Sequence, residues 1–340
     1  MLGHLVPMSD SASPHGSKAS RLTVWRGDGA LPAAIAHPVV VIGNFDGLHR
    51  GHRAVIEAGR VLALKLGRPL AVLTFDPHPR SYFRPNEPVF RLTPDPLKAA
   101  ILNHWGVDGL MILNFDAAMA ATTAEEFVEK TLFGSMDAAG VAIGHDFHFG
   151  KGRQGSPDFI AERAIAKGRA AVIVPPLTAF DEPVSSTAIR TALTEGDLPH
   201  ANHLLGYRYL FQAEVRHGEK IGRTLGFPTA NLRLPPENGL MEGIYAVRVE
   251  VDGKVYDGVA SFGRRPTFDN GAPLFEIWLM DFSGDLYGKT ITVECVKRQR
   301  GELKFDSVEA LIEQMHRDAT EAKAILAAPI QVDAPSLLPI

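Results

Sequence analysis

The chain has 340 residues, room for about two domains at roughly 150 residues each. Apolar residues make up 45% and charged residues 22%, the balance of a globular protein with proper cores. With 35 basic against 39 acidic side chains the formal charge is −4, without the basic excess of a nucleic-acid scaffold, although a local phosphate pocket needs only a few cations.

Residues Met1 to Ser20 are rich in Ser, Gly and Pro and lack the apolar stretch of a signal peptide; they read as a disordered tail. No run of about 18 apolar residues occurs, so no membrane partner is expected and the cytoplasm is the expected compartment.

The first half alternates short apolar runs with helical stretches. The runs Val39–Ile42, Ala71–Phe75, Leu110–Leu113, Val141–Ile143 and Ala171–Val174 are continuous, as strands covered on both faces must be. Between them, His52 to Leu66 puts Val55, Ile56, Gly59 and Leu62 on one helical face. This alternation predicts an α/β domain with a parallel sheet, whose ligands lie at the carboxyl ends of the strands.

From about Tyr207 the pattern changes. Tyr209–Arg216, Gly243–Val251, Lys254–Phe262, Leu274–Asp281 and Thr290–Lys297 read as strands, with Asp252-Gly253 as a hairpin turn. Many short strands predict an antiparallel barrel or sandwich. The lone cysteine, Cys295, sits in the last of them and reads as a small core residue; it excludes an internal disulfide and a cysteine-rich zinc site. A terminal helix follows, capped by Asp306 or Ser307, with Val308, Leu311, Ile312, Met315 and Ala319 as its apolar stripe. The boundary between the halves is expected near residues 196–206.

Chemistry concentrates at two places. The first strand runs into Gly43-Asn44-Phe45-Asp46-Gly47-Leu48-His49-Arg50-Gly51-His52 and then a helix. Strand, glycine turn and helix start aim backbone N–H groups and a positive helix end at a ligand, which suits phosphate. His49 and His52 can donate to oxygens that gain charge in a transition state. A zinc pair and a plain surface turn are the rival readings, but no third metal ligand is evident nearby. Farther on, Ser185-Ser186-Thr187 opens a helix with Arg190 one turn later, so hydroxyls, N–H groups and a guanidinium can converge on phosphate; an ordinary N-cap is the plainer reading.

The second place is Gly218-Glu219-Lys220-Ile221-Gly222-Arg223-Thr224-Leu225-Gly226-Phe227-Pro228-Thr229-Ala230-Asn231. It is glycine-rich and basic but lacks the Gly-Lys-Ser/Thr ending of a Walker loop. Thr229 and Asn231, two apart on an extended chain, offer oxygens to one side, a set that suits a hard Mg2+. Glu276 stands in the apolar run Leu274-Phe275-Glu276-Ile277-Trp278. Burial there would need a partner, and exposure opposite Phe275 and Ile277 is the simple alternative.

Together these motifs resemble the prokaryotic bifunctional riboflavin kinase/FMN adenylyltransferase (FAD synthetase) family. The resemblance rests on Asn44–Gly47 with His49-x-Gly51-His52, on Thr74-Phe75-Asp76-Pro77-His78-Pro79, on Gly144–Gly150, on Ser185–Arg190 and on the unbroken Gly226-Phe227-Pro228-Thr229-Ala230-Asn231. It runs from about Leu22 to Ile325.

The resemblance implies a Rossmann-like nucleotidylyltransferase domain over residues 21–200. It also implies a six-stranded riboflavin-kinase-like barrel with a terminal helix over 201–327, followed by a loose tail over 328–340. ATP is the implied co-substrate, Mg2+ the cofactor, and riboflavin, FMN and FAD the other ligands. His49 and His52 become transition-state donors and Glu276 the general base. Gly43, Asn44, Phe45, Asp46, Gly47, Asp146, Ser186, Thr187 and Arg190 are expected to hold nucleotide and flavin in the first site. Gly218, Lys220, Gly222, Arg223, Gly226, Pro228 and Arg300 are expected to do so in the second, with Thr229 and Asn231 as metal ligands. The chain departs from the family's common pattern at His148, at Gly206-Tyr207-Arg208 and at Ser261-Phe262-Gly263-Arg264. Adenylyltransferases for other phosphate substrates and a flavin-binding regulator without catalysis are the alternatives.

Overall fold

The computed structural model describes residues 22–179, 182–218, 226–264, 273–329 and 334–339. The expected tail over 1–20 therefore lies outside the described residues, as do Lys220, Gly222 and Arg223.

The first half is a six-stranded parallel sheet built from β1 (Thr23–Trp25), β2 (Val39–Ile42), β3 (Leu70–Asp76), β4 (Gly109–Asn114), β5 (Gly140–Gly144) and β6 (Ala170–Val174), in the order β1-β4-β3-β2-β5-β6. The continuous apolar runs serve both faces at once. Val39 and Val41 enter one core cluster with Val55 and Ile56 of α1 (Arg50–Leu66) and Leu97 and Ile101 of α3 (Asp95–His104). Val40 and Ile42 enter the other, with Phe127, Val128 and Leu132 of a π-helical stretch and Ile160 of α6 (Pro157–Ala166). The short α2 (Pro79–Phe83) and α4 (Ala117–Ala121) supply residues to the cleft, and α5 (Ala124–Glu126) runs into the π-helical stretch. The edge strand β1 has no counterpart in the sequence reading; its three residues are too few for a period to register.

A two-stranded ribbon, β7 (Thr178–Ala179) and β8 (Glu182–Pro183), leads to α7 (Ser186–Glu195) and α8 (Leu198–Leu205). The second half is a closed antiparallel barrel of β9 (Leu210–Arg216), β10 (Thr229–Arg233), β11 (Gly243–Val251), β12 (Lys254–Arg264), β13 (Pro273–Leu279) and β14 (Thr290–Arg300), in the order β10-β13-β12-β11-β14-β9. Alternate residues such as Leu232, Val247, Phe275, Ile277 and Cys295 fill the interior. Cys295 is fully buried, and burial pushes its thiol far above the ordinary range, so it is inert core.

The terminal helix α9 (Val308–Ala327) is capped by Ser307 and lies on the outside of β11, β12 and β14, where Ala319, Ala322 and Leu326 meet Ala246 and Met280. Val308, expected in its apolar stripe, is instead 54% exposed, because the buried residues of the helix, Asp318, Ala319, Ala322 and Leu326, all lie in its second half.

One feature of the halves' junction goes beyond the sequence reading and a second corrects it. The two cores are not separate: one buried cluster runs from the sheet through Leu204, Tyr207, Tyr209 and Phe211 into the barrel. And the segment expected as a loose tail is packed at residues 334–339. Ala334 and Leu337 are buried, the Arg208 N–H donates to the Pro335 carbonyl at 3.2 Å, and Ser336 Oγ donates to Glu294 Oε2 at 2.5 Å. Glu294 is wholly buried and paired with Arg208 at 3.2 Å, and a charge so placed is tolerable only with such partners.

Candidate active sites

The carboxyl ends of β2, β3 and β5 open into a cleft of about 1260 Å3, lined among others by Asn44, His49, His52, Asp146, Thr187 and Arg190. Gly43, Phe45 and Ser186 also line it. Asp146 and Thr187 are exposed there. The turn between β2 and α1 is tightly bent: Phe45, Gly47 and Leu48 all have positive φ, at 48°, 92° and 41°. Two non-glycine residues in that region carry backbone strain, held by their surroundings.

His49 is the N-cap of α1, its Nδ1 accepting from the His52 N–H at 3.3 Å. That bond leaves the proton of a neutral ring on Nε2, a ready donor into the cleft. The two imidazoles stack with centroids 3.6 Å apart. Burial lowers the His49 pKa to about 4, against the raising influence of Asp46 and Asp146. Burial, and then His49 itself, hold His52 well below the ordinary value. His52 Nδ1 is buried with no hydrogen-bond partner among the described residues, an arrangement that costs about 1–3 kcal/mol until something supplies one. Gly51 stands at the second position of α1. Its role here is to make room for the His49 ring, whose Cε1 and Nδ1 would lie 3.2 Å from an added Cβ.

Asp46 and Gly47 do not reach the cleft surface. Asp46 is 3% exposed and works from behind. Its Oδ1 accepts from the Leu92 and Thr93 N–H groups at 2.9 and 3.0 Å, and its Oδ2 pairs with Arg190. Arg190 also donates through Nε to the Phe90 carbonyl at 2.7 Å, which aims the rest of the guanidinium at the cleft it lines. Ser185, not Ser186, caps α7, while Ser186 Oγ donates to the Asp46 carbonyl at 2.7 Å. The hydroxyl expected on phosphate thus ties α7 to the histidine turn.

Lys98 is the residue that sequence reasoning missed. It is 1% exposed, and Nζ donates to the Asn44 carbonyl at 3.2 Å and to Thr74 Oγ1 at 3.3 Å. Burial lowers its pKa to about 8, opposed by Asp95 at 3.8 Å. The available signal was a lysine inside the apolar face of Leu97, Ile101 and Leu102. The aromatic wall of the cleft, including Phe83, Phe115 and Phe147, was also missed.

In the barrel the strand register builds a row. Asn231 faces Arg216 on one side and Glu276 on the other; Glu276 faces Ser261, Ser261 faces Ile244, and Ile244 faces Arg300. Thr229 and Trp278 form the next row of β10 and β13. Since Ala230, Leu232, Phe275 and Ile277 point inward, Thr229, Asn231 and Glu276 share the outer face, half-buried or buried. Phe227 wedges between Trp278 at 4.9 Å and His316 of α9 at 5.1 Å, fixing the approach to β10 after Gly226 at φ 86° and through Pro228. Gly218 passes so close to the Asn231 amide that a Cβ would lie 2.6 Å from its carbon and oxygen. Arg300, expected on flavin or nucleotide, has its guanidinium held by Asp318 of α9 at 2.9 and 2.5 Å.

Among the described residues no three His, Cys, Asp or Glu side chains gather as a metal cage. The hydroxyl and amide oxygens of Thr229 and Asn231 stand beside the Glu276 carboxylate, and such oxygen donors could hold a hard dication that keeps water and phosphate as further ligands.

A parallel sheet with a phosphate-ready histidine turn, joined to a barrel carrying an oxygen-donor row, defines a two-site enzyme of phosphate-group transfer. The family model described as FAD synthetase matches residues 32–188, and that described as riboflavin kinase matches residues 205–326. The bifunctional riboflavin kinase/FMN adenylyltransferase of Haemophilus influenzae is 40% identical over 289 residues, covering 84% of this chain and 93% of that protein. Its counterpart from Bacillus subtilis is 37% identical over 297 residues, covering 84% and 92%. A crystal structure described as a macrolide-efflux protein from Streptococcus pneumoniae is similar over 89% of this chain and 99% of its own, with a TM-score of 0.78 and 31% identity. The chain belongs to the bifunctional riboflavin kinase/FMN adenylyltransferase family.

Proposed function

We propose that the family's two reactions run at the two sites described, with the cytoplasm as the working compartment. In the first reaction riboflavin is phosphorylated by ATP to FMN on the outer face of the barrel. In the second, FMN is adenylylated by a further ATP to FAD, with release of pyrophosphate, in the cleft of the sheet. The observation that carries this reading is the separation of two unlike constellations, stacked neutral imidazoles in one half and the Asn231–Glu276 pair in the other.

At the barrel, Glu276 accepts the proton of the riboflavin 5′-hydroxyl as its oxygen attacks the γ-phosphorus, and ADP leaves. Thr229 and Asn231 would hold Mg2+, which when bound neutralises phosphate charge. Arg300, anchored to Asp318, orders the end of the row beside α9.

In the cleft, an FMN phosphate oxygen attacks the α-phosphorus of ATP in line, and the bond to the bridging oxygen of the β-phosphate breaks. The reaction needs alignment and charge stabilisation rather than a covalent nucleophile. His49 Nε2–H and His52 donate to the oxygens that gain charge. Arg190, with the N-terminus of α7 and Thr187, takes the leaving pyrophosphate. Asp146 borders the nucleotide, and Phe83, Phe115 and Phe147 offer ring faces to the flat flavin.

The test is chromatography of flavins after incubation with riboflavin, ATP and Mg2+. FMN followed by FAD is expected. Glu276→Gln should abolish FMN formation and still convert added FMN to FAD, and His49→Ala should do the reverse. A single substitution that stopped both reactions in a folded protein would overturn the two-site assignment.

A further inference from the structure

The turn that carries His49 is gripped from the domain junction. Tyr207 Oη donates to the Gly47 carbonyl at 2.5 Å, and Arg50 Nε donates to the His203 carbonyl at 2.6 Å. Residues 203 and 207 thus hold residues 50 and 47, one on either side of His49. Tyr207 is 3% exposed and sits edge-on to Trp105 with centroids 6.4 Å apart. Burial pushes its hydroxyl far above the ordinary range, so it stays a donor at any working pH. Gly47 also donates its N–H to Thr93 Oγ1 at 2.8 Å, so the peptides on both sides of its Cα are pinned.

The gripping segment belongs to the barrel as much as to the sheet. The Tyr209 N–H donates to Asn202 Oδ1 at 2.7 Å, and the Tyr209 carbonyl accepts from the N–H of Cys295 at 2.8 Å. Tyr207 therefore sits where α8 ends and the barrel begins, with its hydroxyl in the nucleotide turn of the other half.

We infer that Tyr207 is a positioning residue for adenylyl transfer, fixing the Gly47 peptide and through Leu48 the direction of the His49 ring. The inference rests on reading the His49 cleft as the adenylylation site. Without the hydroxyl, a buried carbonyl loses its donor in a turn already strained at Phe45 and Leu48. A small displacement of a transition-state donor costs rate more than it costs ground-state binding.

The test is Tyr207→Phe in the full chain, which keeps the ring and removes only the hydroxyl. The kcat of FMN adenylylation should fall about tenfold, with the KM values for ATP and FMN moved by no more than about twofold. Riboflavin phosphorylation should be unchanged, which also reports the folded fraction. Arg50→Met, which releases the grip on the far side of His49, should move adenylylation in the same direction and leave phosphorylation alone. An unchanged adenylylation kcat in Tyr207→Phe, or equal losses in both reactions, would overturn the inference. If the unsubstituted chain phosphorylated riboflavin but made no FAD from FMN, the reading of the cleft would fall first and this inference with it.

Discussion

Two buried imidazoles stacked on one another repel a proton, and that sets a pH signature. An unfolded His49 binds a proton below about 6.5, while the folded residue resists until about 4. As pH falls through that window the unfolded state gains protons that the folded state refuses, so stability is lost. The loss approaches about 3 kcal/mol at the low end for His49 alone. Denaturant titrations between pH 6.5 and 4 should show this slope, and His49→Asn should flatten it; equal slopes in the two proteins would contradict the buried neutral state. At this scale the sequence was legible where a motif lines the cleft, as with His49, His52, Thr187 and Arg190. It was opaque where a polar group works from behind. Asp46 was expected in the site because it stands in the motif, yet it holds Arg190 and the Leu92–Thr93 backbone. Lys98 was not foreseen, because a lysine in an apolar stripe carries no spacing that names its distant partner, the Asn44 carbonyl.

Strands and helices place these groups by register. The pairing of Asn231 with Glu276 across β10 and β13 follows from alternation once the two runs are neighbours, and that adjacency is a property of barrel closure rather than of either run. The sequence marked Thr229 and Asn231 as co-facial but could not say that Glu276 stands beside them. Gly218 closes this arrangement from the other side. Gly218→Ala would push the Asn231 amide out of line and should lower riboflavin phosphorylation by about tenfold or more, the effect of displacing a group by the order of 1 Å. Conversion of FMN to FAD should be untouched in the same preparation. The continuous apolar runs of β2 to β5 were read correctly because two opposed cores demand them. The three-residue β1 and the helix α8 at the boundary left no such mark.

The whole molecule is held by contacts that no local pattern announces. Residues 334–339 look like linker by composition, with Pro335 and Pro339, yet they supply a carbonyl to Arg208 and a hydroxyl to buried Glu294. Ser336→Ala should destabilise the chain by about 2 kcal/mol, since it removes a hydrogen bond to a buried charge. A denaturant midpoint unchanged by this substitution would show the segment to be dispensable. The shared core through Leu204, Tyr207, Tyr209 and Phe211 has a similar reach, for it binds the sheet to the barrel.

That shared core also sets a timetable during synthesis. A ribosome delivers the chain from its amino end, and domains fold as their sequence emerges. Strand β9, which begins just after Tyr209, pairs with β14, so the segment bearing Tyr207 gains its anchor only when residues near 295 are available. The parallel sheet can assemble much earlier, but the peptide beneath His49 waits for the far end of the message. A nascent chain halted at the domain boundary would hold a formed sheet with an unsecured turn, and both halves of the enzyme would mature together in the last steps of translation.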